Sequence, residues 1–383
     1  METIKVPESG VKIMQNHYKI IQYVKDHQND KSLTGQKVII TRTEEVACSF
    51  IDPCYFHVPN LEMVRTLREF VDRLKISELL IVVDHCADKI NSELFDHPRI
   101  RVIHIPYWLY HTYDFHYRYN HEYNTDLTLS DQFLLLTGKI YKSHRIKAIS
   151  DLYKGGLMTE EQGLWSLRVP DVEEWHNEAR RLAQHYDLPF DVLKSLERNL
   201  DYNLNFHIGN HGFHSTGMPY DTEIYRQSGV VVLTESSSAP REDWQSASSP
   251  WLTEKTYLCM INHRPFIAVS LAHINAKLRE RGFCTFDDYY DACDGEFHDN
   301  SNVAQAVQQF RANLQQHRTE IQRRLVHNHQ LATKMYNSVK QQLDDISVNY
   351  LDKVLSLSDY LDHVKYVNCY ANPEGYQYNT YKN

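Results

Sequence analysis

An α/β protein with two layered domains is what this sequence predicts, on three observations. Short β-branched or Leu-rich runs recur along the chain, bounded by polar residues, as strands buried in a parallel sheet do. Amphipathic helical patterns alternate with them. The length, 383 residues, holds two or three domains at roughly 150 residues each.

The elements follow in order. Val38-Ile39-Ile40, Leu79-Leu80-Ile81-Val82-Val83, Val102-Ile103-His104-Ile105 and Phe133-Leu134-Leu135-Leu136 read as buried strands. Between the first two, Leu61, Val64, Leu67, Phe70, Val71 and Leu74 fall at the three- and four-residue spacings of one helix face. A polar, helix-rich stretch is expected over 150–202, with helices at 172–186 and 189–200. Strand character returns at Val230-Val231-Val232-Leu233 and Phe266-Ile267-Ala268-Val269, with a helix over 253–262 between them and another starting near Leu271. Residues 303–345 contain neither Pro nor Gly, and Val303, Val307, Phe310 and Leu314 set an apolar stripe, so one long bent helix or two helices are expected. From Tyr366 the chain is rich in Asn and Tyr and reads as irregular. The economical division is an α/β domain over 1–130, a second over 131–345 and a C-terminal segment, 346–383, packing back on the first.

Composition narrows the function classes. With 42% hydrophobic and 12% aromatic residues, global disorder is excluded. Lys plus Arg total 41 against 50 Asp plus Glu, and the net charge of −9 excludes binding to nucleic acid or anionic membrane by bulk charge, though not a local basic cleft. Seven cysteines without a C-x-x-C argue against a disulfide framework or zinc ribbon and fit reduced cytosolic thiols. The start, Met1-Glu2-Thr3-Ile4-Lys5, has no apolar leader, and no run is long enough to span a bilayer. A soluble, cytoplasmic protein with no membrane partner is expected.

The most informative segment is 230–269: a buried strand ending in Thr234-Glu235, a long Ser-rich loop, then Thr253-Glu254-Lys255 opening a helix. Thr253 is a natural N-cap. A helix N-terminus attracts anions through its free N–H groups and dipole, so a Lys in the first turn is out of place unless an anion lies between. Glu254 could accept two hydrogen bonds from a ribose diol. In open α/β sheets, ligands bind beyond the C-terminal strand ends, where this loop lies. The plainer alternative is an ordinary capped helix with solvated charges.

Thr234-Glu235-Ser236-Ser237, then Thr253-Glu254-Lys255, a helix, and Arg264-Pro265-Phe266-Ile267 resemble the donor-binding motif of α-1,3-fucosyltransferases and related virus- and phage-encoded glycosyltransferases of the GT-B fold. The family pattern is F-E-N-S, a loop, T-E-K, a helix and a strand beginning V-P-V. A second match runs from Phe133 to Arg145, where the family places a strand, a loop and an Arg opening a helix. A third is Gly282-Phe283-Cys284-Thr285-Phe286, read as structural, with Gly282 ending a helix. The resemblance implies two Rossmann-like domains with a cleft between them, 1–130 on the acceptor side and 131–345 on the donor side. It implies that Glu254 binds the donor ribose, Lys255 and Arg145 the diphosphate, and that Glu235 lies near the donor sugar. Residues 131–155 hold five Lys/Arg against two Asp, consistent with an anionic ligand or with a solvated basic helix face. Asn is missing from F-E-N-S and Arg-Pro-Phe replaces V-P-V, so donor identity does not carry over and UDP and GDP sugars both stay open.

The N-terminal half should then supply the acceptor site and a general base. Residues 107–123 include Tyr107, Trp108, Tyr110, His111 and Tyr113, aromatics suited to stacking on sugars or bases, or to the edge of a core. Asp84 and Asp114, then His85, are the candidate bases, Asp84 directly following a strand, where an N-cap role is equally open. His207, His211 and His214 suggest a metal, but no Cys or carboxylate cluster accompanies them, and the resemblance implies neither metal nor cofactor beyond the nucleotide sugar. The expectation is an inverting, metal-independent glycosyltransferase. Its acceptor is a hydroxymethylated pyrimidine in phage DNA, in the host cytoplasm, or a glycan or lipopolysaccharide. A non-catalytic binding protein on a degenerate GT-B fold and a metal-dependent hydrolase are the other classes.

Overall fold

The computed structural model describes residues 4–5, 11–15, 24, 28–42, 51–52, 55–59, 61–84, 92–106, 109, 112–113, 127–137, 140–170, 173–198, 222–235, 252–269, 274–291 and 301–351. They show an α/β protein with two mainly parallel sheets. The described chain divides into two units, one drawn from Met1–Tyr110 and Asn337–Asn383, the other from His111–His207 and His214–Tyr336.

In the first unit β1 (Ile4–Lys5), β2 (Val11–Gln15), β3 (Lys37–Arg42), β6 (Glu78–Asp84) and β7 (Ile100–Ile105) form one sheet in the order β1-β2-β3-β6-β7. Only β1 is antiparallel to its neighbour. A separate hairpin joins β4 (Ile51–Asp52) and β5 (Tyr55–Pro59). Helix α1 (Leu61–Arg73) buries Val64, Leu67, Phe70 and Val71 in one core with Leu79 and Ile81, each worth about 1.5–3 kcal/mol on full burial. Leu61, expected in the stripe, stands in solvent because it opens the helix beyond the covered face. The helix ends through a left-handed Lys75 (φ 53°), with the Ile76 N–H returning to Val71 O at 3.0 Å. Short α2 (Ser92–Phe95) buries Phe95 before β7. Strands β2, β3, β6 and β7 are laid down in chain order, so this sheet has no reversal.

The second unit does reverse. Its strands β8 (Phe133–Thr137), β9 (Gly163–Leu167), β10 (Val230–Thr234) and β11 (Phe266–Val269) pair in parallel in the order β11-β10-β8-β9. From β8 the chain passes through α3 (Ser143–Lys154) to β9 on one side. It returns by α4 (Glu173–His185), α5 (Phe190–Ser195) and α6 (Thr222–Arg226) to β10 on the other side of β8. Helix α7 (Glu254–Ile261) then leads to β11. The helices expected at 172–186 and 189–200 appear as α4 and α5, and strand β9 is an element that expectation lacked. In Gly163-Leu-Trp-Ser-Leu167 alternate residues are buried, and the strand lies on the sheet edge, where a continuous apolar run is not required. A Cβ at Gly163 would meet the Phe133 ring at 2.2 Å, which is why this edge strand begins on glycine.

Helix α8 (Ile274–Glu280) starts three residues after Leu271 and ends at left-handed Gly282 (φ 87°), with Phe283 and Phe286 buried behind it. Helix α9 (Val303–Leu351) is broken by non-helical backbone at His317, so two helical stretches meet there at a kink, and the first buries Val303, Val307, Phe310 and Leu314 as expected. Phe266, Phe286 and Phe310 meet edge to face, tying β11 to α9. Among the described residues no helix is long and apolar enough to cross a membrane.

Candidate functional site

A parallel sheet opens a crevice where successive connections leave in opposite directions, because the two following helices diverge there. Here that point lies between β8 and β10, in the second unit. At the C-terminal ends of these strands stand Thr137, Thr234 and Glu235, and the helices that follow are α3 and α7. Both hydroxyls, Thr137 Oγ1 and Thr234 Oγ1, are buried without a hydrogen-bond partner among the described residues.

Helix α3 opens with Lys142 at the N-cap, which makes no side-chain cap, and no acid occupies its first turn. His144 and Arg145 in that turn are buried. The His144 Nε2–H donates to the Glu235 carbonyl at 2.9 Å, and the Arg145 guanidinium donates to the same carbonyl at 3.3 Å and to Thr234 O at 3.4 Å. Burial holds the His144 imidazole well below its ordinary pKa of 6.5, and the positive charges of Arg145, Lys142 and Lys255 push it further down. His144 is therefore a neutral donor, and those three cations act on one point.

The basic segment separates into two kinds of residue. Lys147 pairs with Asp151 at 2.7 Å and donates to Ser301 O at 2.5 Å, and Lys154 donates to Tyr186 O at 2.7 Å, so both anchor α3 to its surroundings. Lys142 and Arg145 stand at the helix N-terminus, and Arg145 reaches the carbonyls at the end of β10.

Helix α7 is organised from below. Thr253 is its N-cap, as the sequence predicts, its hydroxyl accepting from the Lys255 N–H and from the Lys255 ammonium, each at 3.4 Å. The Glu235 carboxylate is fully buried beneath it. One oxygen accepts from the Thr253 N–H at 3.0 Å and from the Thr256 hydroxyl, and the other accepts from the Thr253 hydroxyl. Cys259, one turn further, is buried, and its thiol is pushed far up by that burial and by the Glu235 charge.

Of the residues singled out from sequence, Arg145, Glu235, Thr253 and Lys255 converge here, and Glu254 is the first residue of α7. Glu235, expected near a donor sugar, turns its side chain onto the base of α7. Asp84 is the last residue of β6, in the first unit. Tyr113, expected among acceptor contacts, is buried inside the second unit, its ring stacked on Tyr336 at 5.4 Å and its hydroxyl donating to His329 O at 3.5 Å. Tyr107, Trp108, Tyr110, His111, His85, Asp114 and the histidines at 207–214 lie outside the described residues. Among the described residues no group of three or more His, Cys, Asp or Glu is placed to hold a metal ion. Sequence reasoning missed His144 and Thr256. The first adjoins Arg145 in the opening turn of α3, and the second sits three residues after the N-cap, on the side facing the sheet.

Chemically, two helix N-termini and the cations Arg145, Lys142 and Lys255 around a sheet switch point suit a polyanion, with a buried carboxylate fixing the frame. No protein-family model, no curated protein and no solved structure matches this chain.

Proposed function

We propose that the chain is a glycosyltransferase that takes a nucleoside-diphosphate sugar at the switch point of its second unit. The observation that carries the reading is the meeting of Arg145, Lys142 and Lys255 with the N-termini of α3 and α7 at the ends of β8 and β10. The sequence resemblance assigns Arg145, Glu235, Thr253, Glu254 and Lys255 to the donor, two of them cations of this meeting.

In this reading the diphosphate is the leaving group. The acceptor hydroxyl oxygen attacks the anomeric carbon, and the bond from that carbon to the diphosphate oxygen breaks. The electron pair stays on the phosphate, and the hydroxyl proton passes to a general base, for which the sequence offers Asp84, Asp114 and His85 as candidates. Lys255, Arg145 and the helix N–H groups stabilise the charge as it grows on the leaving oxygen, which is where such groups accelerate a reaction. Glu254 takes the ribose hydroxyls. The acceptor to test first is a hydroxymethylated pyrimidine in duplex DNA, followed by glycan and lipopolysaccharide acceptors.

The test is calorimetric titration of UDP and GDP into the wild type and Lys255→Ala. Binding of one nucleotide in the micromolar range, weakened about tenfold or more in the variant (about 1.4 kcal/mol or more), supports the reading. Absence of binding by either nucleotide refutes it. With a nucleotide identified, its release from the matching nucleotide sugar on adding each acceptor names the second substrate.

A further inference from the structure

We propose that Glu235 is the positioning residue of this site: it sets Lys255 through Thr253 and binds no ligand itself. The inference rests on the donor-site reading for its functional consequence, but its geometry stands independently. Both carboxylate oxygens of Glu235 are already engaged, by the Thr253 N–H and by the hydroxyls of Thr253 and Thr256, and the side chain is fully buried. A carboxylate that accepts three such bonds has little left to offer a sugar hydroxyl, and losing them would strand it in a dry interior.

What Glu235 does reach is the group that holds the cation. The Thr253 hydroxyl, once it donates to Glu235, presents its lone pairs upward, to the Lys255 N–H and ammonium at 3.4 Å each. The path Glu235–Thr253–Lys255 therefore fixes both the cap of α7 and the direction of its first cation. The same residue also ties the second helix. Its carbonyl accepts from His144 at 2.9 Å and from Arg145 at 3.3 Å, both in the first turn of α3. The side chain of Glu235 thus holds one helix N-terminus and its backbone the other, so their separation is set at a single residue at the end of β10. A polyanion bridging two helix N-termini needs that separation fixed before it arrives, since misplacement of an ångström in such a frame costs orders of magnitude in rate.

The experiment is a double-mutant cycle with a second readout that needs no ligand. UDP and GDP are titrated into the wild type, Glu235→Gln, Lys255→Ala and the double variant. If Glu235 acts through Lys255, Glu235→Gln weakens the nucleotide about tenfold in the wild-type background and less than about twofold in the Lys255→Ala background. Where the wild type binds a nucleotide, equal losses in both backgrounds, or no loss in Glu235→Gln, overturn the proposal. In parallel, hydrogen exchange at the Thr253 and Lys255 amides, and the acetylation rate of Lys255 by an amine-reactive ester read by peptide mass spectrometry, are compared across the variants. Faster exchange and altered acetylation in Glu235→Gln support the proposal even if the wild type binds neither nucleotide, in which case only the donor-site reading falls. Unchanged exchange and acetylation overturn it, whatever the nucleotide does. Thr256→Val, which removes one of the three bonds and leaves the carboxylate in place, should shift both readouts in the same direction by less, and it serves if Glu235→Gln does not fold.

Discussion

Acidification should weaken the second sheet because of His144. The imidazole is buried, donates to the Glu235 carbonyl and faces Arg145, Lys142 and Lys255, so the folded protein keeps it neutral well below pH 6.5. The unfolded chain has no such environment and takes up a proton near the ordinary value of 6.5. Between these two values the unfolded state binds more protons, so stability rises with pH and is lost as pH falls below 6.5. The loss between pH 7.5 and 5.5 from this residue is on the order of 1 kcal/mol at most, because the unfolded imidazole takes up its proton across that window while the folded one stays neutral. His329, half-buried and lowered by the same desolvation, though its bonds to Met260 O and Ile261 O act against it, adds a smaller part of the same sign. Glu320, held down to about 2 by Arg323 and Arg324, matters only below its ordinary 4.5. The assay is native-state hydrogen exchange at buried amides of β8 and β10, which reports opening of this sheet alone, over pH 5.5–7.5 with intrinsic rates divided out. His144→Gln keeps a donor for the Glu235 carbonyl and does not titrate, so its pH slope should be shallower by about half a proton averaged over this window, approaching one toward pH 5.5. An equal slope in the two proteins, or a wild type that gains stability on acidification, would refute the reasoning. A bound polyanion should flatten the wild-type slope, since it offsets the cations that keep His144 neutral.

Two further substitutions test the frame under the site. Arg264, fully buried, donates to Tyr225 O and to His263 O and Arg226 O at 3.1 and 3.2 Å, so Arg264→Met leaves carbonyls at the end of α6 without their donor and should cost about 3–5 kcal/mol in denaturant unfolding; a loss below about 1 kcal/mol would show that water replaces the guanidinium there. At Gly229 a Cβ would lie 1.7 Å from the carbonyl oxygen of Ser130, a backbone atom that cannot swing aside, so Gly229→Ala should separate the starts of β8 and β10 and lower the melting temperature by about 8 °C or more, and a change within about 1 °C would sink this account.

Strands β8, β10 and β11 were legible because burial on both faces favours continuous apolar runs: 133–136 and 230–233 at the centre of the sheet, and 266–269 on an edge but buried throughout, each became a strand within a residue of its expected bounds. What was not legible obeys weaker local constraints. Edge strand β9 needs only alternate apolar residues, and β1 and β2 are short and polar-interrupted. The site divides in the same way. Thr253 as N-cap is a local matter of one helix turn, and the structure places it as expected. The bonds from Glu235 to Thr253 and Thr256 span 18 and 21 residues, and no spacing rule reports what lies beneath a helix after a loop of that length. The resemblance marked Glu235 as belonging to the site, but only the fold shows that its side chain points under α7.

The strongest argument that these charges form a site comes from comparing cations on one helix. Lys147 and Lys154 of α3 show what a structural cation looks like here: a carboxylate at 2.7 Å for one, and a carbonyl at 2.7 Å for the other. Arg145, two residues before Lys147 and more deeply buried than Lys154, donates to two carbonyls at the end of β10, at 3.3 and 3.4 Å. It does so at a helix N-terminus, where the backbone dipole opposes a positive charge, and close to Lys142 and Lys255, which oppose it again. A fold selected for stability alone gains by placing an acid in that first turn, worth about 0.3–1 kcal/mol, yet α3 has none there. A polyanion lying between the two helix N-termini would offset that opposition, which is the arrangement the proposed donor site requires.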